Sequence, residues 1–193
     1  GGGQFQVLSA GSLLRVKGFG LAIKAFKEFV DQHPDAEFSI VGSGPEANRL
    51  QSLVRSSQLD NKVHILEAMP RDELLVKMAS SDVFLFPSLR DGGGTVAIEG
   101  MSVGKPVVCL DTGGPGTNVT DDCGVKVQPL SPQYAVHELA LALERLYLDE
   151  KLRLAMGQAA RVRAKELYHW DKLGERLMEV YRQALAPEAG ELP

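Results

Sequence analysis

The sequence predicts an α/β fold: a Rossmann-like, doubly wound, mainly parallel six-stranded sheet with helices on both faces and a C-terminal helical extension. Three observations predict this class. Strand-like and helix-like segments alternate along the chain, short connections join them, and the central strands are uninterrupted apolar runs. Uninterrupted apolar strands are typical of a parallel sheet that helices cover on both faces, as in a doubly wound fold.

The strands are short apolar segments that end at glycine, proline or polar residues. In chain order they are predicted at residues 5–10, 37–41, 62–66, 82–86, 106–110 and 124–127. The run Val83-Phe84-Leu85-Phe86, for example, contains no polar residue and is followed by Pro87. Such a run predicts a strand that is buried on both faces.

The helices are recognised by apolar residues that recur on one face. The first begins near Phe19, stops at His33-Pro34, and carries its apolar face on Ala22, Ala25, Phe26, Phe29 and Val30. Further helices are predicted at about 45–57, 70–79, 95–103, 132–148, 150–166 and 171–185. Pro45 suits the first position of its helix. The stripe Leu173, Leu177, Val180 of the last helix is interpreted as a packing face, with docking on another domain as the alternative.

Length and composition favour a single globular domain over 5–186. The chain has 193 residues, of which 44% are hydrophobic and 24% charged. Residues 1–4 are interpreted as a cloning remnant or linker, and residues 187–193 as a flexible tail.

The net charge of −4, without a cluster of Lys or Arg, argues against a nucleic-acid partner. No apolar segment approaches the roughly 20 residues that span a bilayer and no signal peptide is visible, which predicts a cytoplasmic protein.

The stretch from Ser88 to Glu99 combines a strand end, three consecutive glycines and a helix start. A helix start presents unpaired N–H groups and the positive end of the macrodipole, and glycines let a ligand approach the backbone closely. These features predict a phosphate site. Asp91 and Glu99 bracket the site, and carboxylates suit the hydroxyl groups of a ribose or a hexose. A phosphate next to a polyol predicts a nucleotide-sugar ligand.

Other loops with special residues follow the other strands, at Gly11–Gly18, Gly42–Pro45, Met69-Pro70 and Gly113–Gly116. In doubly wound sheets, ligands bind beyond the carboxyl ends of the strands, at the point where the strand order reverses. We therefore expect these loops and Ser88–Thr95 to converge on one crevice.

With these loops in order, the chain resembles the C-terminal, nucleotide-sugar-binding half of a group 1 (family 4) retaining glycosyltransferase of GT-B fold. The resemblance runs from about Val7 to Tyr181, nearly the whole chain. Its motifs are Leu13 to Lys17-Gly18, Val41 to Pro45, Asp82 to Ser88, Asp91 to Glu99, Gly104 to Val108, Thr112 to Gly114, and Trp170 to Tyr181. Each motif is a weak signal alone, and their common order is a strong one.

The resemblance implies roles for individual residues. Lys17 would reach the diphosphate of the donor, and Asp91 would hold a hydroxyl of the donor sugar, which makes these two the candidate catalytic residues. Glu99 would accept hydrogen bonds from the ribose, the backbone around Met69 would recognise the base, and Gly42 joins the donor-binding set. The diphosphate would be cradled by the backbone amides of Gly93, Gly94, Thr95 and Val96. No metal is required if Lys17 and these amides carry the charge of the leaving group.

Two positions depart from the family pattern. Ser12 stands where the family usually has an arginine, five residues before Lys17, and Arg15 is the candidate to replace that diphosphate contact. Asp91 stands where the family normally has a glutamate, which keeps the carboxylate but shortens its reach toward the sugar by one methylene.

The resemblance implies a hexosyltransferase whose donor is a UDP- or GDP-sugar and which needs no separate cofactor. Enzymes of this fold place acceptor recognition on an N-terminal domain of comparable size, which this sequence does not supply. The chain is therefore expected to bind donor with little transfer activity of its own. For the full enzyme we expect a role in cell-surface glycan or glycolipid synthesis, with peripheral association at the inner face of the membrane.

Three alternatives stay open. The segment Gly42 to Ala47 matches the G-x-G-x-x-A outline of a dinucleotide fingerprint, with Glu67 at the end of the next strand, which would indicate an NAD-dependent oxidoreductase. Against it, the match falls on the second strand–helix unit, and Pro45 stiffens the turn. The other two alternatives keep the fold: a sugar-nucleotide epimerase-like domain and a non-catalytic nucleotide-sugar-binding module.

Overall fold

The computed structural model describes residues 4–185, which contain one six-stranded sheet. The predicted tail at 187–193 lies outside the described residues, as does the predicted remnant at 1–4 except for Gln4. The strands are β1 (Gln6–Ala10), β2 (Glu37–Val41), β3 (Val63–Leu66), β4 (Val83–Phe86), β5 (Val107–Leu110) and β6 (Gly124–Val127). Each begins within one residue of its predicted start.

Eight α-helices lie within the described residues, and seven of them were predicted. They are α1 (Phe19–Val30), α2 (Ala47–Ser56), α3 (Arg71–Ser80), α4 (Thr95–Ser102), α5 (Gly113–Asn118), α6 (Pro132–Leu148), α7 (Glu150–Tyr168) and α8 (Trp170–Leu185). Pro45 does not start α2 as predicted. The N–H of Glu46 donates to Leu13 O of the first loop, and the helix begins at Ala47, two residues after Pro45. None of the helices between residues 4 and 185 is both long and apolar enough to cross a membrane.

Helix α5 was predicted as a loop, because its sequence Gly-Gly-Pro-Gly-Thr-Asn contains poor helix formers. Tertiary contacts override this propensity. The N–H of Gly114 donates to Asp91 O at 2.8 Å, and the Asn118 side chain donates to Gly93 O at 2.8 Å. The helix is therefore held by the loop Asp91–Gly94, called the glycine loop below, against which it packs.

The sheet has the order β3-β2-β1-β4-β5-β6, and all neighbouring strands are parallel. The chain builds outward from β1 to β3, returns to place β4 beside β1, and continues outward on the other side. This order confirms the predicted doubly wound fold. The reversal falls between β1 and β4, so the loops after these two strands lie at the switch point.

Two hydrophobic clusters cover the two faces of the sheet. One joins α1, α2 and α6 to the sheet and includes Phe26 and Phe38, whose ring centroids lie 5.3 Å apart. The other joins α3, α4 and α7 to the opposite face and includes Phe84 and Met101. Gly100 lets α4 approach β4 closely, since a Cβ there would lie 2.9 Å from the Phe84 ring. This close packing fixes the position of the α4 start.

Helix α8 differs from the other helices because it buries none of its residues. Leu173, Leu177 and Val180 are 38%, 54% and 58% exposed, and Trp170 is 83% exposed. The prediction that this stripe packs in the core is therefore wrong for this chain. The helix packs beside α7, beyond the sheet, and its apolar face points to solvent.

Candidate functional site

The loops at the carboxyl ends of four strands form one continuous surface. Leu13 N–H donates to Ser43 O at 2.8 Å, which joins the loops after β1 and β2, and Leu89 N–H donates to Val16 O at 2.9 Å, which joins those after β1 and β4. The contact of Gly114 with Asp91 joins the loop after β4 to α5. Four of the five segments that were predicted to converge, those after β1, β2, β4 and β5, are therefore in contact.

Helix α4 begins in this surface without a side-chain cap. Gly94 occupies the N-cap position with φ of 63°, a conformation that favours glycine. Gly93 and Thr95 are exposed beside it. The first-turn amides of a helix have no partner within the helix, and the macrodipole adds positive charge at this end. Gly93, Thr95 and Val96 thus lie at a helix start that is suited to an anion. The buried Gly94 does not offer its amide as predicted, because its N–H already donates to Asp91.

The Asp91 carboxylate lies at the edge of this helix start. One oxygen accepts a hydrogen bond from Gly94 N–H at 2.7 Å, and the other pairs with the Lys17 ammonium. Burial alone would raise the pKa of Asp91, but the hydrogen bonds from Lys17 and Gly94 and the charge of Lys17 outweigh it. The net effect lowers the pKa of Asp91 below its ordinary value, so the side chain is a carboxylate at neutral pH.

Lys17 reaches this site from a 3-10 turn, Arg15–Lys17, that precedes α1. Its ammonium lies 5.8 Å from the centroid of the Phe86 ring, at the end of β4. An aromatic face attracts a cation at this distance and helps to orient it. The structure thus brings together the two residues that the sequence predicts as catalytic, Lys17 and Asp91.

Glu99 pairs with a residue that the sequence analysis did not single out. Its Oε1 accepts a hydrogen bond from Nε of Arg71, the first residue of α3, at 2.7 Å. The Glu99 side chain is only 15% exposed, whereas that of Arg71 is 69% exposed. This hydrogen bond and the charge of Glu99 raise the pKa of Arg71. The only sequence signal for Arg71 is its position directly after the predicted base-recognition loop, Met69-Pro70.

Asn118 is a second residue that the sequence analysis missed. It is 7% exposed, its Nδ2 donates to Gly93 O at 2.8 Å, and its Oδ1 accepts from the Tyr168 hydroxyl at 3.0 Å. Arg163 also donates to its backbone carbonyl at 2.7 Å. Asn118 therefore ties the glycine loop to α7. No local pattern reveals these contacts, because the partners are far apart in the sequence.

The remaining predicted residues occupy different parts of this end of the sheet. Gly42 is buried against the first loop, where a Cβ would lie 1.9 Å from Gly11 O, so backbone packing alone requires glycine there. Arg15 lines a cavity of about 510 Å³ between α1, α2 and the loop before α6, together with Lys24 and Arg49. Met69 is half-buried in the loop between β3 and α3 and packs against the second hydrophobic cluster.

The described residues contain no group of three or more His, Cys, Asp or Glu side chains arranged to hold a metal ion. The two carboxylates of the site instead pair with cations of the protein, Asp91 with Lys17 and Glu99 with Arg71. With the uncapped start of α4 between them, the site offers positive groups for a phosphate and carboxylate oxygens for hydroxyl groups.

Comparison with known proteins identifies sequence relatives along most of the chain. A family model described as glycosyl transferases group 1 matches residues 1–163. The D-inositol 3-phosphate glycosyltransferase of Corynebacterium jeikeium (strain K411) is 32% identical over 187 residues, which cover 93% of this chain and 43% of the relative. This chain therefore spans less than half the length of that relative.

Solved structures share the fold. A pneumococcal O-GlcNAc transferase in complex with UDP and GlcNAc matches with a TM-score of 0.83 and 21% identity, covering 96% of this chain and 37% of that chain. The C-terminal domain of a group 1 family glycosyl transferase from Francisella tularensis matches with a TM-score of 0.77 and 22% identity. There the match covers 86% of this chain and 87% of the other. At these identities the likeness extends to the fold alone.

Proposed function

This chain belongs to the glycosyl transferases of group 1, and from that membership we propose that it is the C-terminal, donor-binding half of a retaining family 4 enzyme. The full enzyme transfers a hexose from a nucleotide-diphospho-sugar, a UDP- or GDP-sugar, to an acceptor. Residues 5–186 form the donor domain. The dinucleotide-fingerprint hypothesis loses its support, because the family is that of glycosyltransferases and Gly42 is explained by backbone packing.

The observation that carries the proposal is the uncapped start of α4 beside the Lys17 ammonium. A donor diphosphate at this position would receive hydrogen bonds from the first-turn amides and the charge of Lys17. The negative charge on the diphosphate grows as its bond to the anomeric carbon breaks. Groups that are fixed in place before the reaction stabilise this developing charge most effectively. Lys17 and the α4 start would therefore lower the barrier without a metal.

The rest of the donor extends from this point in the proposal. Glu99 accepts hydrogen bonds from the ribose hydroxyls, and the backbone near Met69 contacts the base. Asp91 orients a hydroxyl of the sugar, and it must then share Lys17 with the diphosphate. The acceptor hydroxyl attacks the anomeric carbon on the face that the diphosphate leaves, its proton passes to an oxygen of the departing diphosphate, and the configuration is retained.

Two observations support a second domain that supplies acceptor contacts. The chain covers 43% of the length of its inositol-phosphate glycosyltransferase relative. Helix α8 carries a stripe of apolar residues that is largely exposed in the described part of the chain, as expected if another domain covers it. The cytoplasmic location and peripheral membrane association of the full enzyme stay predictions.

Calorimetric titration of this chain with UDP, GDP and ADP, with NAD as a control ligand, tests the proposal. We expect saturable binding of one nucleoside diphosphate and none of NAD. The Lys17→Ala variant is expected to bind that diphosphate at least about tenfold more weakly, because it loses a charge-assisted contact.

Lys151→Ala is the matched control. Lys151 is exposed near the start of α7. Arg153, two residues later, pairs with Asp82, which precedes β4, so this part of α7 lies at the amino ends of the strands, away from the site. Removal of the Lys151 side chain should leave binding unchanged. Binding of NAD in preference to the three diphosphates, or equal binding by wild type and Lys17→Ala, would contradict the donor site.

A further inference from the structure

Arg71 joins two helices at the mouth of the proposed nucleotide site. It is the first residue of α3, and its Nε donates to Glu99 Oε1, on α4, at 2.7 Å. Glu99 is 15% exposed, so its carboxylate is largely removed from water. Arg71 uses one carboxylate oxygen through its Nε, which leaves Oε2 available to accept hydrogen bonds from a ligand.

Glu99 alone would oppose the binding of a diphosphate. Glu99 lies four positions after Thr95 at the start of α4, which is about 6 Å along the helix axis. This distance is shorter than the screening length of about 8 Å at physiological salt. The carboxylate and the diphosphate would therefore repel each other, although both are needed in the same site.

We propose that Arg71 is a positioning residue that neutralises Glu99 toward the diphosphate of the bound nucleotide while holding its free oxygen toward the ribose. The inference rests on the proposed function and deepens it. Asp72 and Glu73 follow Arg71 in the first turn of α3. Both side chains are exposed, so water screens the charges of their carboxylates. Arg71 is the cation that contacts Glu99. Because its side chain is exposed, it can remain in this position when a ligand binds beside Glu99.

The charge of the ligand distinguishes this role from simple orientation of Glu99. If Arg71 only holds the Glu99 rotamer, its loss weakens every ligand that carries the ribose by the same factor. If it also screens Glu99, the loss grows with the number of phosphates and shrinks with added salt. It also shrinks when Glu99 itself is made neutral, because there is then no charge to screen.

The test measures the binding of uridine, UMP and UDP by ligand-observed NMR. It compares wild type with Arg71→Gln, Arg71→Lys, Glu99→Gln and the double variant Arg71→Gln/Glu99→Gln. Guanosine or adenosine ligands replace them if the titration identifies that base. We expect Arg71→Gln to weaken UDP on the order of fivefold and uridine by less than twofold. Arg71→Lys should recover most of the UDP affinity, and Arg71→Gln should have little effect in the Glu99→Gln background.

The controls separate folding, the donor site and the role of Arg71. Arg145→Gln removes an exposed arginine from the last turn of α6 and should change neither affinity nor Tm. Equal losses for uridine and UDP, no loss for UDP, or an undiminished loss in the Glu99→Gln background would each overturn the role assigned to Arg71. If wild type binds no nucleoside diphosphate, the proposed function fails and this inference fails with it.

Discussion

At the scale of single residues, the charge of Asp91 links the site to the stability of the domain. Lys17 and Gly94 lower its pKa in the folded chain below the unfolded value of about 3.9. Its stabilising contribution is therefore present above that pH and is lost as the pH falls through the lowered pKa. We expect Asp91→Asn to weaken the acid dependence of stability below about pH 4 and to lower Tm by a few degrees at neutral pH. Thermal unfolding across this pH range measures both effects.

Asp60→Asn provides the control for that measurement, because Asp60 is exposed in the loop between α2 and β3. Its acid dependence should match that of wild type. If Asp91→Asn also keeps the wild-type acid dependence, the Asp91 carboxylate does not hold the partners that the structure gives it.

Two glycines near the site differ in what a side chain would meet. A Cβ at Gly114 would lie 2.5 Å from the Gly93 carbonyl carbon, whereas a Cβ at Gly92 would meet nothing within 4 Å. Gly114→Ala should therefore cost about 1–3 kcal/mol of unfolding free energy and weaken diphosphate binding, because α5 and the glycine loop must separate. Gly92→Ala should leave the unfolding free energy nearly unchanged. Denaturant unfolding of both variants measures the difference, and equal losses would show that the two loops do not touch.

At the scale of secondary structure elements, α6 and α8 carry similar apolar stripes that differ in how deeply they are buried. Leu143 of α6 is completely buried, whereas Leu177 of α8 is 54% exposed. Leu143→Ala should cost about 2–5 kcal/mol through lost burial and a cavity, and Leu177→Ala should stay within about 0.5 kcal/mol in this chain. Urea unfolding compares them. A large cost for Leu177→Ala would mean that α8 packs on the domain in solution.

Helix α5 is an element whose existence depends on its surroundings. Its glycine-rich sequence has little intrinsic tendency to form a helix, and it owes its conformation to contacts with Asp91, Gly93 and the α7 side chain of Tyr168 through Asn118. The proposed anion site is therefore built from two glycine-rich segments, the glycine loop and α5, which hydrogen-bond to each other. Helix propensity alone does not predict α5.

At the scale of the whole molecule, the site is open on the side away from the sheet. The site residues lie in the loops that follow the strands and in the helices that begin there, and Gly93 and Thr95 at the start of α4 are exposed to solvent. We expect this chain to bind the donor without transferring the sugar, because acceptor contacts and exclusion of water require a second domain. The measurement is the release of nucleoside diphosphate from a UDP- or GDP-sugar in the presence of an acceptor. It compares this chain with a full-length group 1 glycosyltransferase. Equal rates for the two would contradict the proposal of a half-enzyme.

The sequence by itself determined the fold class and predicted where the candidate site lies. Apolar runs such as Val83–Phe86 predicted the parallel sheet, because strands buried on both faces carry no polar residues. Glycines after these strands predicted where a ligand approaches, because a turn at a strand end needs their backbone freedom. The resemblance to group 1 glycosyltransferases is confirmed, while the family number, the C-terminal position and the roles of the site residues stay predictions.

Only the tertiary structure decided which residues meet. Arg71 and Glu99 lie on different helices, Asn118 reaches Gly93 across a loop, and the apolar stripe of α8 remains uncovered. Periodicity shows that a helix has an apolar face but does not say whether another element lies against it. Contacts between distant segments depend on the order of strands in the sheet, and short-range sequence patterns carry no record of that order.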